Sequence, residues 1–160
     1  MIREMTAADW PAVKRIYEEG IVTGFATFET EAPSYEEWDA SHLAVCRFVY
    51  VNDRGEVLGW IVLSPVSDRC VYGGVVEETV YVSEKARGQG VASALFDALI
   101  PASEAEGFWT LQAGMFPENE ASIKVHEKAG FRAIGRREKI GQMNGVWRDT
   151  LLLERRSPKF

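Results

Sequence analysis

Two cysteines and two histidines in 160 residues leave little material for metal or disulfide chemistry. Cys46 sits in a strand-like run and Cys70 beside a turn, with no CxxC pair and no histidine at zinc-ligand spacing. No metal is expected, and the thiols are expected to be reduced. Long apolar runs are also missing: none reaches the roughly 20 residues that span a bilayer, and the opening MIREMTAADW lacks the apolar centre of a signal peptide. No membrane-spanning helix is expected, and the cytoplasm is the expected compartment. Basic residues are the minority, 18 Lys and Arg against 24 Asp and Glu, for a net charge of -6. Nucleic acid needs a clustered positive surface, so it is not an expected partner. With 46% apolar and 26% charged residues and no repeat, linker or low-complexity tract, residues 1–160 read as one globular domain.

Periodicity then places the elements. Thr6 with Asp9 forms a capping-box pattern ahead of Ala12, Val13, Ile16 and Tyr17, a helical apolar face that Gly20 is expected to end. Ser34 with Glu37 repeats the pattern before Trp38. CRFVYVNDRGEVLGWIVLSPV reads as two strands around a polar turn at Asn52–Gly55. A strand over about 74–82 leads into a loop with Gly88 and Gly90. The helix after it carries Val91, Leu95, Phe96, Leu99 and Ile100 and is expected to kink or break at Pro101. FWTLQAGM, a compact helix in NEASIKVHEKAGF, and two strands around Asn144–Gly145 complete a mixed α/β order.

The segment VEETVYVSEKARGQGVASAL holds the most specific signal. Gly88 and Gly90 remove Cβ atoms where a helix N-terminus presents unpaired N–H groups, a place that attracts phosphate. No lysine follows Gly90, against a Walker A loop. The next strand, Trp109 to Gln112, offers no acidic residue for a dinucleotide ribose. Arg87 to Ala92 does satisfy [QR]xxGx[GA]. That pattern resembles the pyrophosphate loop of the GCN5-related N-acetyltransferase (GNAT) superfamily. ATFETEAPSYEEW, VEETVYV, NEASIKVHEKAGF and GVWRD, in that order, resemble the phosphinothricin and methionine sulfone or sulfoximine acetyltransferases within it.

The resemblance implies an α/β (α+β) GNAT-like fold, a mixed, mainly antiparallel sheet with helices on both faces. It also implies acetyl-CoA as co-substrate and a small-molecule amine as acceptor. The coenzyme would be held by Arg87, Gly88, Gln89, Gly90, Val91, Ala92 and Ser93. Asn119 would contact it while capping a helix, and a backbone N–H of Val80, Tyr81 or Val82 would polarise the thioester carbonyl.

Acetyl transfer needs a base for the amine and a proton for the departing thiolate. Strand alternation puts Glu77 on one face with Val75, Thr79 and Tyr81, and Glu78 on the other with Val80 and Val82. The resemblance assigns Glu77 as the general base, directly or through water; Glu78 is expected to be an edge carboxylate paired with an arginine. His126 lies seven residues after Asn119, two helical turns, at the margin of a stripe formed by Ala121, Val125 and Ala129. Spacing alone makes it an inward, hydrogen-bonded core residue. The resemblance makes it an acid or base. Phe28, Glu29, Val71 and Tyr72 match acceptor-site regions, Trp147 and Asp149 match the C-terminal signature, and a homodimer sharing its last strands is implied. SDRCVYGG departs from both the herbicide-specific and the sulfone-specific pattern. An acceptor with a different amine, a noncatalytic acyl-CoA-binding module and a dinucleotide-binding protein remain the rival readings.

Overall fold

VVEETVYV is rich in β-branched residues and forms the strand β4 (Val75–Val82) at the centre of the sheet. The computed structural model describes residues 1–160. Seven strands are present: β1 (Ile2–Glu4), β2 (Phe48–Val51), β3 (Val57–Pro65), β4, β5 (Thr110–Met115), β6 (Arg132–Met143) and β7 (Val146–Arg156). They lie in the order β1-β2-β3-β4-β5-β7-β6. Every neighbouring pair is antiparallel except β4 with β5. That parallel step is the crossover through the helix α3 (Val91–Ala105), since parallel neighbours cannot be joined by a hairpin. The Asn144–Gly145 turn between β6 and β7 has positive φ at both residues, 52° and 77°, as a two-residue hairpin turn requires.

Side chains alternate across the sheet, so each face builds its own core. On one face Val49, Val51, Trp60 and Val62 pack against Val13 and Ile16 of α1 (Trp10–Thr23) and Trp38 of α2 (Tyr35–Ser41). On the other, Ile61, Leu63, Val76, Leu111 and Leu153 pack against Val91, Leu95, Phe96 and Leu99 of α3. Ile123 and Val125 of α4 (Glu120–Lys128) adjoin that core. Each large apolar side chain removed from water stabilises by about 1.5–3 kcal/mol, so these two layers hold the sheet between them. The expected arrangement, helices on both faces of a mainly antiparallel sheet, is the one observed.

Local signals behave as their chemistry dictates. Ser34 caps α2, its Oγ accepting from the Glu37 N–H at 3.2 Å. Asp9 accepts from the Thr6 N–H at 2.8 Å and takes a bidentate ion pair from Arg3 at 2.8 and 2.9 Å. The Arg3 hydrogen bonds, reinforced by Thr6, outweigh burial and hold the Asp9 carboxyl below the usual carboxylate range. This pair ties α1 to β1, a three-residue strand with no periodicity long enough to announce it.

Two expectations are overturned, and of the kink or break expected at Pro101 the break is absent. Helix α1 runs past Gly20 to Thr23 and ends on Gly24 in the left-handed region, φ 73°. Gly20 is buried inside the helix, where an added Cβ would stand 2.6 Å from the Tyr81 ring. Helix α3 continues through Pro101 without a break to Ala105, held on its buried side by Leu95, Phe96 and Leu99. Glu78 is not an edge carboxylate and has no arginine: β4 lies between two strands, and Glu78 is 4% exposed against His126.

Gly20 is thus a packing glycine, and Gly20→Val is expected to destabilise the fold by about 1–3 kcal/mol through overpacking against Tyr81. Urea denaturation measures the loss, and an unchanged midpoint would show that the ring moves aside freely.

Candidate active site

Strands β4 and β5 are paired over only three positions, Val75, Val76 and Glu77 against Thr110, Leu111 and Gln112. Beyond them β4 stays with β3 and β5 stays with β7, so the two central strands part. The β5-facing peptide edge of β4 from Glu78 to Val82 therefore has no strand partner. Unpaired peptide groups inside a sheet call for a hydrogen-bonding ligand or water. At the mouth of the gap stands the N-terminus of α3, capped by Gly90 with no side-chain hydrogen bond and no acidic residue in the first turn. Gly88 and Gly90 have φ of 75° and 79°, and a Cβ at either would meet nothing. Their backbone conformation, not crowding, calls for glycine, and the space above them is open to a ligand. Gap and helix end belong to one cleft of ≈ 1320 Å³.

The two adjacent glutamates have opposite surroundings. Glu77, half-buried, faces the α1 side with Tyr81. Its Oε1 accepts only a long contact from Gln112 Nε2 at 3.4 Å. Glu78 faces the α3 side, opposite Leu63, and its Oε2 lies 2.7 Å from His126 Nε2. The other oxygen, Oε1, is buried with no partner. His126 comes from the inner side of α4, 3% exposed, with Nδ1 2.7 Å from the Ser122 carbonyl. The Phe96 and Phe131 rings stand edge-on to it at 5.1 and 5.0 Å. Burial pulls the imidazole pKa down, and the Glu78 charge with its hydrogen bond more than reverses this, so the net direction is up.

The α1 side of the cleft is aromatic and acidic. Trp60 and Tyr81 stack at 5.1 Å, with Tyr17 edge-on to Tyr81 at 5.0 Å. The indole Nε1 of Trp60 is buried without a partner, and burial raises the Tyr81 phenol above its ordinary range. Seven glutamates line the cleft: 29, 31, 37, 77, 78, 118 and 120. Arg87 is the only lysine or arginine that does. Asn119 bridges two lining segments: its Oδ1 accepts from the Ser122 N–H and its Nδ2 donates to the Phe25 carbonyl, both at 3.3 Å.

The acetyltransferase (GNAT) family model matches residues 8–131. The chain belongs to the acetyltransferase (GNAT) family. It is 34% identical over 151 residues to the phosphinothricin N-acetyltransferase of Streptomyces viridochromogenes, covering 92% of this chain and 82% of that one. The L-methionine sulfoximine/L-methionine sulfone acetyltransferase of Pseudomonas paraeruginosa is 29% identical over 158 residues, 96% and 92% of the two chains. Among solved structures, a phosphinothricin acetyltransferase from Sinorhizobium meliloti in complex with AcCoA superposes with a TM-score of 0.88 at 30% identity, covering 98% of this chain and 87% of that one.

In this acetyltransferase the cleft gathers most of the residues singled out from sequence. Glu77, Val80, Tyr81, Val82, Arg87, Gly88, Gly90, Val91, Ala92, Ser93, Asn119, His126 and Glu29 all line it. Gln89 does not; its side chain turns back to the Lys85 carbonyl at 3.2 Å. Phe28 lies outside, edge-on to Phe116 at 4.8 Å, and Val71 and Tyr72 are exposed on a short turn away from the cleft. Asp149 serves the β6–β7 hairpin, accepting from Arg136 Nε and the Lys139 N–H, while Trp147 is exposed. Glu78 is the residue that sequence reasoning passed over. Its signal was the more apolar company of its face, Val76, Val80 and Val82, which marks the side buried under α3.

Removing His126 would leave Glu78 buried with both oxygens unpartnered, so His126→Ala is expected to cost about 3 kcal/mol or more at neutral pH. The folded His126 pKa is raised, so its contribution is full below the unfolded value of about 6.5 and fades as pH rises through the folded value. Denaturation of both proteins across pH should show the gap narrowing on the alkaline side; a gap that widens there contradicts the ion pair.

Proposed function

We propose that this protein transfers the acetyl group of acetyl-CoA to the amine of a compact, amino-acid-like acceptor. The observation that carries the reading is the parting of β4 from β5 in the same cleft as a glycine-lined helix end that no side chain caps. The α3 N-terminus and the Arg87–Ala92 loop receive pyrophosphate, with Arg87 adding charge-assisted hydrogen bonds. The open edge of β4 hydrogen-bonds the pantetheine arm, and a backbone N–H at Val80, Tyr81 or Val82 faces the thioester oxygen, where negative charge develops. Glu77, half-buried on the acceptor side, takes the amine proton directly or through water. The relatives support the acceptor class, because two of them are named for phosphinothricin and for methionine sulfoximine and sulfone.

One observation favours a second acceptor class. An amino acid carries a carboxylate, yet Arg87, at the pyrophosphate end, is the cleft's only lysine or arginine, against seven glutamates. A polycationic amine would suit the isolated chain better. A homodimer reconciles the charge with an amino-acid acceptor. The β6–β7 hairpin carries Arg136, Arg137 and Lys139 beside the exposed apolar residues Ile134, Ile140, Val146 and Trp147, a surface suited to cover by a second copy. Sedimentation equilibrium is expected to show a dimer that Trp147→Glu weakens; a monomer at micromolar concentration removes this source of cations.

Thiol release from acetyl-CoA, measured over phosphinothricin, methionine sulfone, methionine sulfoximine, ordinary amino acids, a polyamine and a lysine peptide, tests the function. The expected order by kcat/KM puts the first three ahead. A polyamine or peptide preference overturns the acceptor, and tight acetyl-CoA binding without turnover favours a noncatalytic module. On the best acceptor Glu77→Gln is expected to lower kcat by about 10²–10⁴-fold with little change in coenzyme affinity.

A further inference from the structure

His126 is held at both ring nitrogens. The Ser122 carbonyl, 2.7 Å from Nδ1, can only accept, so Nδ1 carries a proton. An ionised Glu78 can likewise only accept, so the 2.7 Å contact at Nε2 requires a second proton. Around the ring, α3 contributes Phe96, the segment after α4 contributes Phe131, α4 itself contributes Ser122, and β4 contributes Glu78, the charged group that acts on it. A buried cation with one anion as its charge partner is fixed by that anion. The unpartnered Glu78 Oε1 is the polar atom of the pair left without a protein contact, and both residues line the cleft at the point where β4 and β5 part.

We propose that Glu78 is a positioning residue that fixes His126 as a doubly protonated ring, so that the pair enters each turnover as a proton donor and not as the base for the acceptor amine. This rests on the acetyl-transfer reading. The acceptor nitrogen bonds to the thioester carbon, the carbon–sulfur bond breaks with its electron pair on sulfur, and the amine proton leaves through Glu77. The thiolate takes the Nε2 proton of His126 by way of the Glu78 carboxylate, whose Oε1 has no protein partner, leaving a ring protonated at Nδ1 alone beside an ionised carboxylate, and a proton from solvent restores it. A merely structural Glu78 would supply shape without setting the charge of the ring.

The chain has two histidines, which makes the test direct. His42 is the internal contrast: its Nδ1 lies 2.6 Å from the Trp38 carbonyl, and burial lowers its pKa. Long-range ¹H–¹⁵N spectra of the wild-type protein at pH 7 are expected to show both nitrogens of His126 protonated and His42 neutral. An unprotonated Nε2 on His126, with the proton on Glu78 instead, overturns the proposal. In kinetics, Glu78→Gln is expected to move the alkaline limb of the kcat profile down by about one pH unit or more, roughly a tenfold loss on that limb. The KM for acetyl-CoA should stay within about twofold, and Glu78→Asp should recover part of the shift. An unchanged profile in a folded Glu78→Gln protein overturns it too. If that variant does not fold, the wild-type spectrum and Glu78→Asp decide. Absence of turnover on every amine sinks the acetyl-transfer reading and the catalytic role together, while the spectrum still reads the protonation state separately.

Discussion

The site depends on a parallel pairing that stops early. Three residues of β4 lie beside β5, and then each strand follows its other neighbour. Had the pairing continued, every peptide group in the middle of the sheet would be satisfied internally and the protein would have a seamless core. Because it ends at Glu77 and Gln112, a strip of backbone is left with hydrogen-bonding capacity and no protein to use it. The two flanking antiparallel pairings, β3 with β4 and β5 with β7, keep both sides of the gap in place. Their side chains are locked into the apolar layers under α3 and α1, so the opening is preformed and does not require unfolding to create it.

Placing two carboxylates next to each other on β4 gives them different chemistry at no cost in sequence length. Period-two alternation sends Glu77 toward the aromatic, partly open side and Glu78 into the layer beneath α3. A buried carboxylate without a cation or hydrogen bond would be strongly disfavoured, and α4 brings His126 Nε2 within 2.7 Å of it. The Glu78 carboxylate in turn pushes the His126 pKa up, so the carboxylate that needs a cation nearby also favours one. The same α4 is capped by Asn119, whose side chain reaches the Phe25 carbonyl, so the helix that carries the histidine also anchors the segment that follows α1 along the cleft. Tyr81 closes that side from below, seated on the bare backbone of Gly20 and stacked on Trp60.

Much of this was legible in the residues. Turn chemistry at Asn144–Gly145, the Ser34 cap, the glycine loop before α3 and the inward face of His126 all follow from local rules acting over a few positions. Neither Gly20 nor Pro101 ends its helix, for one reason: helix propensity contributes about 1–3 kcal/mol at a single residue, and burial of a whole apolar face outweighs it. Strand β1 escaped notice because three residues carry no period; its pairing with β2 and the Arg3–Asp9 ion pair hold it, and both join separate elements.

The sequence by itself determined the alternation that separates Glu77 from Glu78, the helical spacing that carries Asn119 and His126 together, and the loop that leaves the α3 N-terminus bare. Those are properties of a single strand, a single helix and a single turn. Only the tertiary structure decided which face of β4 would lie under α3, that Glu78 would meet His126 48 positions away, and that β4 and β5 would part after three residues. Each of these depends on where two distant segments settle against each other, which the packing of both apolar layers sets collectively and no local pattern encodes.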